Sequence, residues 1–321
     1  MTDQFNALST SDEVLENVSL KGKRVFITGV SSGIGLVTAC ALAARGAHVI
    51  GTARDMDKNR DQLNQAAQGG GSIEVLHMEL ADLSSVRKVA NEMVARGDAL
   101  DVVIENAGVM NTPFGHTVDG FETQFGTNFI GHFVLANKLA PLMHAGARLI
   151  VLSSAAHRFA DIDLDDPNFE RTPYDPSVAY GRSKTADSLF AVAFDERNRD
   201  RGVRAIAVHP GNIWTDLARH VDIDAFLPVF ESMKARHVEL GNEPFELKTP
   251  EQGAATTLWA GFVADADKYG GTYCEDCGIS PVLTGDAEVS IFAPGVMPYA
   301  LDPENARALW DKANAMVGEN F

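Results

Sequence analysis

The chain has little cysteine, no long apolar run and a shortage of positive charge. Its 321 residues include three cysteines, too few for a disulfide scaffold, and a reducing compartment follows. Cys40 falls in an apolar helix pattern and is expected in the core. Cys274 and Cys277 form a Cys-x-x-Cys. Zinc would need a second ligand pair at similar spacing, so they read as two ordinary thiols at a strand end. No apolar stretch approaches the ~18 residues of a spanning helix, and Met1-Thr2-Asp3-Gln4-Phe5 lacks the basic-then-apolar order of a secretion signal. No membrane anchor is expected, and the inferred location is cytoplasmic. With 27 Lys and Arg against 44 Asp and Glu, the formal net charge is −17, which repels nucleic acid and anionic membranes and favours solubility. There is no Pro/Ser-rich linker, low-complexity tract or repeat at about 20–50 residue spacing. One domain with a substantial core is therefore expected.

What is present is an alternation of apolar β-branched runs with helix-length amphipathic segments. Ser11, followed by Asp12 and Glu13, marks a short capped helix ahead of the domain. Strands are predicted at 24–28, 47–53, 73–78, 102–105, 148–153, 203–209 and 271–274, with a helix over 34–45 ended by Gly46. Near-continuous runs such as Leu149-Ile150-Val151-Leu152 are what strands covered on both faces look like. The fold class expected is α/β, a doubly wound parallel sheet of Rossmann type. The stretch 214–247 breaks the rhythm with apolar side chains mixed among charges, and reads as a helical lid. Asp302-Pro303-Glu304 starts a last helix whose Leu309, Trp310, Ala313 and Val317 mark one face, expected to pack onto the domain. The division is an N-terminal extension over 1–20, a dinucleotide-binding catalytic domain over 21–280 that includes the lid, and a C-terminal extension over 281–321.

Between the first strand and helix, Thr28-Gly29-Val30-Ser31-Ser32-Gly33-Ile34-Gly35 spaces its glycines as Gly-x-x-x-Gly-x-Gly. Glycine permits positive φ and close backbone approach, and the following helix offers unpaired N–H groups to a pyrophosphate. The strand-turn-helix-strand context gives the pattern its meaning. At the end of the second strand a carboxylate would bind a ribose 2′-hydroxyl and a guanidinium a 2′-phosphate. Thr52-Ala53-Arg54-Asp55 puts Arg54 first, which favours NADP(H). If Arg54 merely pairs with Asp55, NAD(H) is used. Tyr180 and Lys184 are four apart, so on a helix the ammonium sits beneath the phenol, about 6 Å along the axis, and favours the phenolate. Asn106-Ala107-Gly108 follows a strand, Asn128 lies in a helical stretch where Asn needs a reason, and Ser153-Ser154 closes another strand.

In this order, with Asp82-Leu83 and with Pro210-Gly211 before Thr215, these motifs resemble the short-chain dehydrogenase/reductase family over about residues 20–280. The Ser154-to-Tyr180 spacing, the context Ala179-Tyr180-Gly181-Arg182-Ser183-Lys184 and the Leu309-Trp310 tail look like its retinol-dehydrogenase-like branch. The resemblance implies that Tyr180 is general acid in reduction and general base in oxidation, and that Ser154 hydrogen-bonds the substrate oxygen. It implies that Lys184 lowers the Tyr180 pKa and holds the nicotinamide ribose, and that Asn128 fixes a water linking Lys184 to solvent. It further implies that Gly29, Ser31, Ser32, Gly33, Ile34 and Gly35 cradle the cofactor, that Asp82 and Leu83 contact adenine, and that Asn106, Ala107 and Gly108 border the adenosine ribose. Ile213 and Thr215, after Pro210 and Gly211, would hold the carboxamide. Two departures stand out: Glu105, where many members carry an uncharged residue, and Cys274-Glu275-Asp276-Cys277-Gly278 in place of the usual ending, which leaves subunit pairing open although members are often homo-oligomers.

The leading expectation is an NADP(H)-dependent carbonyl reductase or alcohol dehydrogenase acting on a secondary alcohol/ketone or an aldehyde, hydrophobic if the apolar residues of 214–247 face it. Without an anchor, a retinoid is less expected. The alternatives are an NAD-dependent alcohol dehydrogenase, a nucleotide-binding sensor without turnover, and a sugar-nucleotide epimerase or dehydratase.

Overall fold

Burial on two faces organises the chain around its strands. In β1 (Arg24–Thr28), Val25 and Ile27 enter the core on one side of the sheet and Phe26 the core on the other, as the two-residue period of a strand requires. The computed structural model describes residues 4–285 and 288–321; Met1, Thr2 and Asp3, on which the reading of the N-terminus partly rests, lie outside them. The order continues α2 (Gly33–Ala44), β2 (His48–Ala53), α3 (Arg60–Ala67), β3 (Ser72–His77), α4 (Leu83–Arg96), β4 (Leu100–Glu105), α5 (Gly131–Leu139) and β5 (Met143–Leu152), with α1 (Ser11–Leu15) before β1. It ends α6 (Pro176–Asn198), β6 (Arg204–His209), α7 (Ile223–Glu239), α8 (Pro250–Phe262), α9 (Ala266–Tyr269), β7 (Tyr273–Glu275), β8 (Gly278–Ile279) and α10 (Pro303–Val317).

Among the described residues, eight strands form one sheet in the order β3-β2-β1-β4-β5-β6-β7-β8, parallel except for β8. The chain runs outward from β1 in one direction and from β4 in the other, so the crevice between β1 and β4 is the switch point where such sheets bind ligands. There Ile27 pairs with Ile104, which leaves Thr28-Gly29 beside Glu105-Asn106. One layer of core, with Phe129, Phe133, Phe190 and Trp310, lies under α4, α5, α6 and α10; the other, with Leu36, Leu42 and Trp259, lies under α2 and α8.

The C-terminal helix packs as expected. Asp302 caps it through the N–H groups of Glu304 and Asn305, and Trp310 meets Phe133 edge-on at 5.1 Å while the Arg197 guanidinium covers its ring at 4.2 Å. Three expectations need correction. The cap of α1 is Thr10, which shares a capping box with Glu13; Ser11 is already helical and buried. Cys40 is only half-buried. The sheet does not end at β7: Asp276 and Cys277 take φ of 51° and 59° and turn the chain into β8. A two-residue hairpin turn of this kind is signalled by Asn-Gly or Asp-Gly, which is why Asp276-Cys277 gave no sign of it. Cys274 and Cys277 are free and buried, and burial pushes their thiols up to about 12 and about 11. No described helix is long and apolar enough to cross a membrane.

Candidate active site

Close packing dictates the glycine turn. A Cβ on Gly35 would fall 2.1 Å from the Gly29 carbonyl oxygen, and one on Gly29, whose φ is +78°, would fall 2.9 Å from the Ala107 Cβ. The turn is thus pressed against the segment after β4. Asn106 fastens it, donating from Nδ2 to the Thr28 carbonyl at 2.8 Å. Ser32 precedes α2 without capping it through its side chain, so the first-turn N–H groups remain available to an anion. Asn106, Ala107 and Gly108 line the same cleft, of about 760 Å³, as Ser31, Ser32, Gly33 and Ile34.

Asn128 lies in a π-helical segment, Phe125–Ile130, that leads into α5; such widened turns recur at functional sites. Its Oδ1 accepts from the Val109 N–H at 2.8 Å, and its Nδ2 donates to the Val109 carbonyl and to Ser183 Oγ, each at 2.9 Å. This is the reason for an Asn within a helix: one amide ties the loop after β4 to α6. His132, one turn on, extends the network. Thr28 Oγ1 accepts from the Asn106 and Ala107 N–H groups, both at 3.0 Å. Its own proton is therefore left for His132 Nε2, 2.9 Å away. The ring proton then sits on Nδ1 and is donated to the Asn128 carbonyl at 2.7 Å. Burial lowers the His132 pKa to about 4, so the ring is neutral.

Asp175 caps α6 and Pro176 opens it. The absence of a Cβ at Gly181, which would lie 2.8 Å from the Ala156 carbonyl, lets the helix approach the turn after β5. Ser153 Oγ donates to the Lys184 carbonyl at 2.8 Å, which fixes the helix against the strand end. Lys184 Nζ lies 5.8 Å from the Tyr180 ring centre and donates to the Leu152 carbonyl and to Asp187 Oδ2, each at 2.8 Å. Ser154 Oγ caps the turn at Ala155–Phe159 by accepting from the Ala156 N–H, and lines the cleft together with Tyr180. Burial raises the Tyr180 pKa, with Lys184 and Ser154 pulling the other way. The expected depression is thus present only as the sign of the Lys184 effect, which burial outweighs. Burial lowers the Lys184 pKa too, but Asp187 and Tyr180 more than offset it.

Arg54, which also lines the cleft, is 64% exposed and lies 3.9 Å from Glu79, not against Asp55. Asp55 turns away and accepts from the Asp57 and Lys58 N–H groups at 3.0 and 3.3 Å. Lys58 bridges to Asp216 at 2.8 Å, at the start of the segment that also brings Arg219 into the cleft. Arg54 and Arg219 line the same cleft, and burial and then the charge of Arg54 lower the Arg219 pKa. Pro210, Gly211, Ile213 and Thr215 also line the cleft. Asp82 and Leu83 do not line the cleft. Asp82 Oδ1 caps α4 by accepting from the Ser84 and Ser85 N–H groups, and Leu83 is buried in the core; Leu80 and Ala81 line the cleft there.

Part of the cleft lining is apolar. From α7 come Phe226, Val229, Phe230 and Met233, with Trp214 ahead of the helix. Phe226 stacks on Phe230 at 5.4 Å, and Phe230 meets Phe292 at 5.6 Å. Phe292 belongs to a distant segment that Arg158 holds by donating to the carbonyls of Val289, Ser290 and Ala293. His132, Asp187, Arg158 and Phe292 were not singled out in the sequence. The first two had only a weak signal, their spacing of four from Asn128 and three from Lys184, and for the loop contacts there was none.

The family model described as "short chain dehydrogenase" matches residues 23–225. Human Retinol dehydrogenase 14 is 35% identical over 93% of this chain and 86% of its own length. A Streptomyces lividans protein named "Probable oxidoreductase" is 41% identical, covering 92% of this chain and 97% of its own. Among solved structures, a protein from Mycobacterium paratuberculosis superposes with a TM-score of 0.72 at 33% identity, over 94% of this chain and 96% of that one. A short chain dehydrogenase from Burkholderia cenocepacia in complex with NADP, at 23% identity, has the same fold with a TM-score of 0.63 over 81% of this chain and 98% of that one. The chain therefore belongs to the short-chain dehydrogenase/reductase family of oxidoreductases.

Proposed function

We propose that this enzyme uses NADP(H) to interconvert a hydrophobic secondary alcohol and its ketone, or the corresponding alcohol and aldehyde. The observation that carries the reading is one cleft whose lining combines Tyr180 and Lys184, the two arginines Arg54 and Arg219, and the aromatic side chains of Trp214, Phe226 and Phe230. The residues fit a dinucleotide: the uncapped start of α2 suits a pyrophosphate, with Ser31 and Ser32 beside it. Arg54 and Arg219 would hold a 2′-phosphate, Asn106 to Gly108 the adenosine ribose, and Ile213 and Thr215 the carboxamide. When bound, the nicotinamide supplies or accepts the hydride.

Tyr180 handles the proton. In reduction its hydroxyl protonates the carbonyl oxygen as negative charge grows there, and in oxidation its phenolate removes the alcohol proton. Ser154 donates to the same oxygen and stabilises its charge. Lys184 favours the phenolate and can hold the ribose with its remaining N–H. The aromatic side chains on and around α7 exclude water from the reacting oxygen and receive a bulky apolar substrate. Glu79 favours a second reading: its carboxylate, 3.9 Å from Arg54, would oppose a 2′-phosphate and leave the site to NAD(H). Thermal shift with NADPH and NADH at matched concentrations separates the two, since the better ligand raises the melting point more. A larger NADPH shift, followed by NADPH-dependent reduction of bulky ketones, is the expected result; a larger NADH shift would assign the cofactor to the second reading.

A further inference from the structure

Three charged side chains are buried between the sheet and α6, exposed by only 1%, 6% and 2%: Glu105, whose strand position pairs with Val151, Lys184, which donates to the carbonyl of the next residue, Leu152, and its partner Asp187. Strand alternation puts Glu105 there. Val103, two residues earlier on β4, packs in the core layer under α5 and α6, and Glu105 leaves the strand on the same face. Asp187 accepts from Lys184 through Oδ2, while its Oδ1 and both Glu105 oxygens are buried without a hydrogen-bond partner among the described residues. One ammonium facing two carboxylates leaves uncompensated negative charge in an apolar layer unless one acid holds a proton.

We propose that Glu105 and Asp187 form a one-proton acid pair behind Lys184, with the proton on Glu105 and the charge on Asp187, making Glu105 a positioning residue that keeps Lys184 an ammonium beneath Tyr180. The inference rests on the reading of Tyr180 and Lys184 as the catalytic pair. Burial pushes the Glu105 carboxyl well up, Asp187 adds to this and Lys184 opposes it, while burial raises Asp187 only to about 6 against the pull of Lys184. The other titratable groups bearing on the cluster are Tyr180, from α6 itself, and the neutral His132, from α5. A protonated carboxyl is a donor, and Oδ1 of Asp187 is an acceptor without a partner. The arrangement also supplies a spare counter-ion: with Asp187 neutralised, Glu105 can release its proton to solvent and face Lys184 as a carboxylate.

Difference infrared spectroscopy of the wild type against Glu105→Gln, near neutral pH, reads the proton directly. A carboxylic-acid C=O band is expected in the wild type and not in the variant. The band should also vanish in Asp187→Asn, where Glu105 has ionised. Turnover gives an independent reading: Asp187→Asn should lower kcat at least about tenfold more in a Glu105→Gln background than alone, the coupling expected of residues that share a function. Absence of the acid band in the wild type, its persistence in Asp187→Asn, or simply multiplicative effects on kcat would overturn the proposal. If the double variant fails to fold, the wild-type and single-variant spectra decide. The band does not depend on turnover, so an acid band in a protein inactive on every ketone would count against the catalytic reading alone.

Discussion

Removing the Arg54 side chain should weaken NADPH binding and leave NADH binding almost unchanged. Two unit charges about 4 Å apart attract by about 1 kcal/mol in water and about 4 kcal/mol where the surroundings screen less. The Arg54 side chain is 64% exposed and already shares its charge with Glu79 at 3.9 Å, so the lower part of that range applies. Although a 2′-phosphate carries more than one negative charge, a loss of about 1–2 kcal/mol follows, or about 5–30-fold in the NADPH Kd. Titration calorimetry of the wild type and Arg54→Ala with both dinucleotides measures it. Raising the ionic strength should narrow the gap between the proteins, because exposed charges are screened. Adding Arg219→Ala should widen it. Equal losses for NADPH and NADH, or no loss for either, would refute the assignment of Arg54 to the 2′-phosphate.

Substrate size should be read at the apolar lining: Phe230→Ala, which removes a ring stacked between Phe226 and Phe292, should raise KM for bulky apolar ketones several-fold and barely change it for small ones, as steady-state kinetics over a size series would show. Trp310→Ala should lower the stability by about 3 kcal/mol, the loss usual for a buried aromatic truncated to Ala, because Trp310 is 3% exposed against Phe133 and Phe190; urea denaturation measures it. The His132 pKa is depressed to about 4 by burial, so the unfolded chain binds this proton first as the pH falls. The stability tied to a neutral His132 is present above the unfolded pKa of about 6.5 and is lost on acidification towards about 4. The destabilisation caused by His132→Gln should accordingly be smaller by about 1 kcal/mol near pH 5.5 than near pH 7.5, and denaturation at both values tests this.

The sheet was legible because strands covered on both faces show continuous apolar runs. The run Leu149 to Leu152 reads directly as a central strand, and the glycine spacing located the turn after β1 because Gly29 and Gly35 admit no side chain. What stayed hidden was decided by tertiary contact. The hairpin to β8 spends two non-glycine residues on left-handed backbone, Asp276 and Cys277, and local composition gives no sign of that. Asp82 stands in a motif associated with adenine contact, and the structure shows that one of its oxygens also caps α4. Arg158 draws the segment of Phe292 to the cleft across more than a hundred residues, beyond the reach of any periodicity. Glu105 was visible as an oddity after a strand; that its buried carboxyl shares the layer beneath α6 with Lys184 and Asp187 follows only from how that helix packs over the sheet.

The most direct test of the account is the turnover of Tyr180→Phe with NADPH and a bulky ketone, measured beside its affinity for NADPH. Tyr180 is 7% exposed, and Phe keeps the ring while removing only the hydroxyl, so the fold and the cofactor site should persist. If Tyr180 is the proton donor, kcat should fall by about 10²–10⁴-fold with the NADPH Kd within a few-fold of wild type. Turnover retained to within about tenfold, below the usual contribution of a positioned acid, would contradict the account.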